Sequence, residues 1–276
     1  MSFDVDQALL DQVRSIAEQA GRAILEIYET AFDVALKDDR SPLTAADMAA
    51  HRLIDAALGA LTPEIPVLSE ESAAASVERR REWNRFWLVD PLDGTREFIK
   101  RNGEFSVNIA LIEHHRSTLG VVHAPVPGYS CVGALNRGAH RYERDGSRRA
   151  IAVSASRHPP LRVAGSRSHA DARLRDVLGR VGAHTLVPMG SALKFCLVAA
   201  GAADVYFRFG PTSEWDTAAG QALVEAAGGA VTDMHLQPLR YNLRDTLLNP
   251  DFMAFADSSA PWREWIGSAS GAAAHG

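Results

Sequence analysis

The stretch Phe86-Trp87-Leu88-Val89-Asp90-Pro91-Leu92-Asp93-Gly94-Thr95 decides how the rest of the chain is read. Its first four residues are an apolar run with the bulk of a buried strand. Pro91 lacks the N–H that ladder pairing needs, so the strand is expected to end at Asp90. Gly94 permits a tight turn. Two carboxylates three residues apart then project from one rigid turn, backed by the N–H groups of Gly94 and Thr95 and the Thr95 hydroxyl. Carboxylates hold hard cations and clustered N–H groups cradle anions, a pairing that suits metal-assisted phosphate chemistry. Asp-Pro-x-Asp-Gly is also the make-up of an ordinary turn, so the other acids must decide.

Three further acidic segments bear on this. Ser69-Glu70-Glu71 follows the apolar pair Val67-Leu68 and sets acids at the end of a short strand, as Asp90 is set. Two surface glutamates would read the same way. Ser213-Glu214-Trp215-Asp216 precedes a stripe at Ala219, Leu223, Ala226 and Ala227. Ser213 and Asp216 have capping-box spacing, and Asp216 is also placed to aim a carboxylate from a helix N-terminus into a cleft. Thr44-Ala45-Ala46-Asp47 repeats that spacing. Arg167, Lys194 and Arg208 fall near the ends of expected elements, where solvated charge is common.

The 276 residues carry a net charge of −5, 46% hydrophobic and 23% charged residues, the make-up of a globular protein. The acidic balance argues against broad nucleic-acid binding, though not against a local basic pocket. Met1 to Asp6 holds acids and no apolar core, so no signal peptide is expected, and no apolar run of about 18 residues predicts a membrane span. Cys131 and Cys196 sit in apolar surroundings without metal-like spacing, which points to buried reduced thiols and a cytoplasmic compartment. No histidine pair has metal spacing at i, i+4, and no nucleophile elbow, dinucleotide fingerprint or Walker loop occurs.

Apolar spacing predicts a helix from Leu9 to Tyr28 and a second opening at Thr44 and ended by Pro63 and Pro66. Closely spaced strands follow at Val67–Leu68, Phe86–Val89, Phe105–Ile112, Leu119–His123, Ser130–Leu135 and His140–Glu143, which suggests an antiparallel sheet. A polar stretch, Arg144 to Arg149, marks a boundary. Beyond it strands (Leu161–Gly165, Thr185–Pro188, Asp204–Phe209, Ala230–Asp233) alternate with helices (Asp171–Val181, Ser191–Ala200, Trp215–Ala227). The expected division is an N-terminal α+β half at 1–148, a smaller α/β half at 149–270, and a flexible tail at 271–276.

Glu70, Asp90-Pro91-Leu92-Asp93-Gly94-Thr95 and Trp215-Asp216-x-Ala218-Ala219 together resemble the signature of the inositol monophosphatase superfamily, magnesium-dependent and lithium-sensitive phosphatases. The resemblance covers residues 5 to 265. Within it, Arg96 to Phe105, Ser166 to His169, Gly190 to Cys196, Arg208 to Asp216 and Leu248-Asn249-Pro250 look like the bacterial 3′(2′),5′-bisphosphate nucleotidases. Inositol-specific relatives carry Asn-Phe and His where this chain has Glu97-Phe98 and Lys100. The alternative is an inositol-1-phosphatase or broad sugar phosphatase of the same superfamily.

The resemblance implies a layered αβαβα sandwich and the following roles. Glu70, Asp90 and the Leu92 carbonyl would bind one Mg²⁺, and Asp90, Asp93 and Asp216 a second. A third, weaker ion would sit near Glu70, with Asp47 reaching it through water. Thr95 paired with Asp47 would orient and activate the attacking water, and the Gly94 and Thr95 N–H groups would hold phosphate oxygens. Ser191, Lys194 and Arg208 would contact a second phosphate, and His169 would lie by the adenine. The implied partner is a nucleotide bisphosphate, bound by a monomer or homodimer. Peripheral attachment to the cytoplasmic face of the inner membrane is implied as well, but no amphipathic or lipidated segment explains it.

Overall fold

The computed structural model describes residues 5–30, 34–36, 42–72, 78–154, 160–165 and 171–267. Helices α1 (Gln7–Tyr28) and α2 (Ala45–Leu61) flank two short paired strands, β1 (Val34–Leu36) and β2 (Pro42–Thr44). Then come β3 (Val67–Ser69), β4 (Arg85–Asp93), the one-turn helix α3 (Thr95–Ile99), β5 (Ser106–Glu113), β6 (Arg116–Ala124), β7 (Tyr129–Ala134), β8 (Gly138–Tyr142) and β9 (Arg148–Ile151). Strands β3 to β9 form one sheet in chain order, antiparallel except for the parallel β3–β4 pair.

The second sheet holds β10 (Leu161–Gly165), β11 (His184–Pro188), β12 (Val205–Arg208), β13 (Ala230–Asp233) and β14 (Phe252–Phe255), in the order β11-β10-β12-β14-β13. Its first three strands are parallel, and β14 and β13 are antiparallel additions. Helices α4 (Ala172–Val181), α5 (Leu193–Ala199), α6 (Glu214–Ala226) and α7 (Trp262–Ile266) complete the chain.

Alternation along the strands builds three cores. Val107, Ile109 and Leu111 of β5 face α1 and α2, where Leu10, Val13, Ala17, Ala20, Ile24, Ile54 and Leu58 are buried. Ala110 and Ile112 of the same strand face α5 and α6 together with Ala164, Tyr206, Phe252 and Ala254 of the second sheet. The far side of that sheet, with Val163, Val205, Phe207 and Phe255, packs on Val177 of α4 and on Trp262 and Ile266 of α7. The layers are therefore helices, seven strands, helices, five strands, helices, the expected αβαβα sandwich.

Helix α6 sits tightly on the first sheet. A Cβ at Gly120 would lie 2.2 Å from the Ala219 carbonyl oxygen, and one at Gly133 would lie 2.7 Å from the Leu223 Cα. The division expected at 148/149 passes through β9, whose residues pair with β8.

Two expectations need correction. Strand β4 does not end at Asp90. It runs to Asp93, with a register shift: Asp90 opposes Asn108 and Asp93 opposes Ser106. Three residues on β4 advance against two on β5, and Pro91 sits inside that irregularity, where its missing N–H breaks no ladder bond. The helix expected from Ser191 begins at Leu193. Ser191 instead takes a left-handed backbone, φ +47°.

His123 on β6 is buried, with Nδ1 3.0 Å from the Ser130 hydroxyl, which donates to Glu18 at 3.0 Å. Burial lowers its pKa from 6.5 to about 4, helped by Arg22 and Arg14 and opposed by Glu18. The folded state therefore takes up this proton less readily than the unfolded chain. The resulting stability is complete above pH 6.5 and is lost as pH falls towards about 4, by roughly 3 kcal/mol. Urea unfolding of the native chain and of His123→Gln from pH 7 to 4 should differ by much of this slope, because the raised carboxyls of Asp90, Asp93 and Asp216, which act in the opposite sense, are common to both. An unchanged slope in the variant would reject His123 as its source.

Candidate active site

Parallel pairing brings Ser69 beside Val89, so Glu70, just past the end of β3, comes next to Asp90 within β4, and the Glu70 N–H donates to the Val89 carbonyl at 3.0 Å. The Leu92 N–H donates to Asp90 Oδ1 at 3.1 Å, holding the carboxylate against the bulge. Asp93 accepts from the Ala192 N–H and from Asn108 Nδ2, the latter at 3.4 Å. Asp216 accepts from the Ser213 N–H at 2.9 Å, so its capping bond and its aim into the site coexist. Ligand oxygens of Asp90, Asp93 and Asp216 all lie within 4.8 Å of one another. Glu70 is not in that set of three, although its charge acts on both Asp90 and Asp216.

This clustering is costly for the protein alone. Burial, then repulsion from Glu70, Asp93 and Asp216, raises the Asp90 pKa well above the usual carboxylate range. Burial raises Asp93 too, against the pull of Lys194 and the Ala192 N–H. Burial, then Asp93 and Glu70, raises Asp216 to about 8. Oxygen donors crowded in this way, from the end of β4 and the first turn of α6, fit a hard divalent cation, whose charge would reverse each of these shifts.

Asp47 lies at the third position of α2. Its Oδ2 accepts from the Thr44 N–H at 2.8 Å and the Thr44 hydroxyl at 2.6 Å. Its Oδ1 accepts from the Thr95 hydroxyl at 3.4 Å, and that hydroxyl also lies 3.3 Å from the Leu92 carbonyl. The capping role and the pairing with Thr95 use different oxygens. Gly94 opens α3 with φ +92°, where a side chain would be strained and a Cβ would stand 3.2 Å from Ser191 Cβ. The first N–H groups of α3 have no partner within the helix.

A cavity of about 650 Å³ runs from this cluster. Asp93, Gly94, Ser191, Lys194, Arg208 and Asp216 all line it. Lys194 is buried, donates to the Ser191 carbonyl at 2.6 Å, and has its pKa lowered to about 8, chiefly by burial. Arg208 donates from Nε to the Thr212 hydroxyl at 2.8 Å. Arg167 and His169 lie outside the described residues. The lining also includes Arg96, Glu97, Tyr206 and Phe209, to which the sequence reading gave no role. Arg96 and Glu97 directly follow the Gly-Thr turn, a position that alone could have flagged them.

The chain belongs to the inositol monophosphatase family, whose sequence model matches residues 6–262. It is 54% identical over 246 residues to the 3′(2′),5′-bisphosphate nucleotidase CysQ of Escherichia coli O157:H7, an alignment covering 88% of this chain and 98% of the relative. The CysQ nucleotidase of Haemophilus influenzae is 38% identical over 260 residues, 94% of this chain and 97% of the relative. Among solved structures, CysQ from Bacteroides thetaiotaomicron superposes with a TM-score of 0.79 at 38% identity, covering 91% of this chain and 98% of that one. The extragenic suppressor protein SuhB from Bartonella henselae gives 0.76 at 26% identity, covering 91% and 95%. Among the described residues no helix is long and apolar enough to cross a membrane.

Proposed function

We propose that this chain is a Mg²⁺-dependent phosphomonoesterase that hydrolyses 3′-phosphoadenosine 5′-phosphate to AMP and phosphate. The observation that carries the reading is the Asp90–Asp93–Asp216 cluster, in which Asp90 is buried and the half-buried Asp93 and Asp216 line a cavity shared with Lys194 and Arg208. Likeness to the CysQ nucleotidases over most of the chain supports the substrate. Asp90, Asp93 and Asp216 would hold one Mg²⁺, and Glu70, Asp90 and the Leu92 carbonyl another, with a third ion near Glu70. When bound, the ions lower the pKa of a water and neutralise charge on the leaving oxygen.

The protein's own groups do the rest. Asp47 accepts the Thr95 hydroxyl proton, which leaves Thr95 Oγ lone pairs to accept from the attacking water and orient it in line. The Gly94 and Thr95 N–H groups hold non-bridging phosphate oxygens. Ser191, Lys194 and Arg208 receive the second phosphate, and His169 is assigned to the adenine. Water supplies OH to phosphorus and a proton to the departing 3′-oxygen. We place the enzyme in the cytoplasm.

Phosphate release from 3′-phosphoadenosine 5′-phosphate, measured beside inositol 1-phosphate with Mg²⁺, with chelator and with Li⁺, tests this. Preference for the nucleotide, loss with chelator and inhibition by Li⁺ are expected. Preference for inositol 1-phosphate would keep the metal site and overturn the roles given to Lys194, Arg208 and His169.

A further inference from the structure

We propose that Arg96 grips the phosphate that the substrate keeps, and thereby selects a bisphosphate over a monophosphate. The inference rests on the bisphosphate reading above. Arg96 is the second residue of α3, directly after the Gly94-Thr95 turn, and its exposed side chain lines the cavity with Ser191, Lys194 and Arg208.

The other two cations in this lining are already engaged. Lys194 Nζ donates to the Ser191 carbonyl at 2.6 Å and lies 5.1 Å from the centre of the Tyr206 ring. Arg208 donates from Nε to the Thr212 hydroxyl at 2.8 Å and from one terminal nitrogen to the Pro211 carbonyl at 3.2 Å. Arg96 makes no side-chain hydrogen bond or ion pair among the described residues, so all five of its N–H donors are open. A guanidinium with open donors matches a phosphate in the two-pronged manner that an ammonium cannot.

The charge of the lining favours such a group. The lining carries Asp93, Glu97, Asp171 and Asp216. Asp171 is paired with Arg173 at 3.1 Å, and Mg²⁺ bound as proposed above would balance Asp93 and Asp216. Glu97 remains beside the path of a substrate that brings a second phosphate. Arg96 adds a positive charge to the same cavity, open to pair with that second phosphate. A monophosphate, held at the Gly94-Thr95 turn, gains nothing from that pairing.

Steady-state kinetics of Arg96→Gln and Arg96→Lys test the assignment with two nucleotides that share the adenosine and the reacting 3′-phosphate. These are 3′-phosphoadenosine 5′-phosphate and adenosine 3′-monophosphate, both in saturating Mg²⁺. For Arg96→Gln, KM for the bisphosphate should rise on the order of 10–100-fold, as loss of charge-assisted bonds predicts, with kcat nearly unchanged. Both constants for the monophosphate should stay near the native values, and Arg96→Lys should recover part of the loss. Equal losses on both substrates, or none on either, would overturn the proposal. If the native protein cleaves neither nucleotide but does cleave inositol 1-phosphate, the bisphosphate reading itself fails and this assignment falls with it.

Discussion

Asp93→Asn should reduce kcat/KM for 3′-phosphoadenosine 5′-phosphate by on the order of 10³-fold, several kcal/mol of transition-state stabilisation at about 1.4 kcal/mol per tenfold. The substitution keeps the shape and an acceptor oxygen for the Ala192 N–H and the Asn108 amide. What it removes is one negative charge from a cluster where Asp93 already raises the pKa of Asp90 and Asp216. Without metal the variant should therefore unfold at the same temperature as the native chain, or higher. Added Mg²⁺ should stabilise the native chain, because an ion that binds only the folded state shifts its unfolding, and should stabilise the variant much less. Thermal unfolding with and without Mg²⁺, alongside the activity, separates lost chemistry from lost fold. Retention of most of the activity would reject Asp93 as a ligand.

The acids were readable because local chemistry carried them. Asp-Pro-x-Asp-Gly after an apolar run, and acids at capping-box spacing, are signals of a few residues, and the structure brings Asp90, Asp93 and Asp216 together from two separate elements. The helical stripes of α1 and α6 were readable because their period directly reflects which face is buried, whereas the αβαβα layering itself came from the family resemblance. What stayed hidden depended on pairing partners far along the chain. Pro91 looked like a strand end because nothing local reveals a register shift against Asn108 and Ser106. Strand β14 is held between β12 and β13 by antiparallel pairing that its four residues do not advertise. Ser191 looked helical, but its left-handed turn accompanies the contact between the Ala192 N–H and Asp93. Residues facing the cavity from Phe209 and Tyr206 read simply as strand hydrophobics.

Arg80→Met should destabilise the fold by about 3 kcal/mol, roughly 1 kcal/mol for each of three acceptors, one buried and two partly buried, left without their donor. Arg80 is 2% exposed. One terminal nitrogen donates to Asn242 Oδ1 at 2.6 Å, and the other to the Arg244 and Asp245 carbonyls at 2.8 and 2.9 Å. The Asn242 amide returns a bond to the Arg80 carbonyl at 2.6 Å. This joins the segment before β4 to the loop that carries Asn242, a residue held at φ +60°. The same loop anchors Glu214, which is fully buried and accepts from the Asn242 N–H at 2.8 Å and from Arg244 at 3.1 Å. Burial raises the Glu214 pKa, while the Asn242 N–H, Arg244 and Arg80 pull it down. Loss of Arg80 thus removes one of the positive charges that keep this carboxylate ionised in the interior. Glu214 opens α6, two residues before Asp216, so the disturbance should also reach the metal site. The variant should need more Mg²⁺ for half-maximal activity, yet recover much of the native kcat at saturating Mg²⁺. Urea unfolding and a Mg²⁺ titration check both parts. A stability change under about 1 kcal/mol would mean that water replaces the guanidinium at these carbonyls. A kcat that does not recover would mean that Arg80 holds more of the site in place than the first turn of α6.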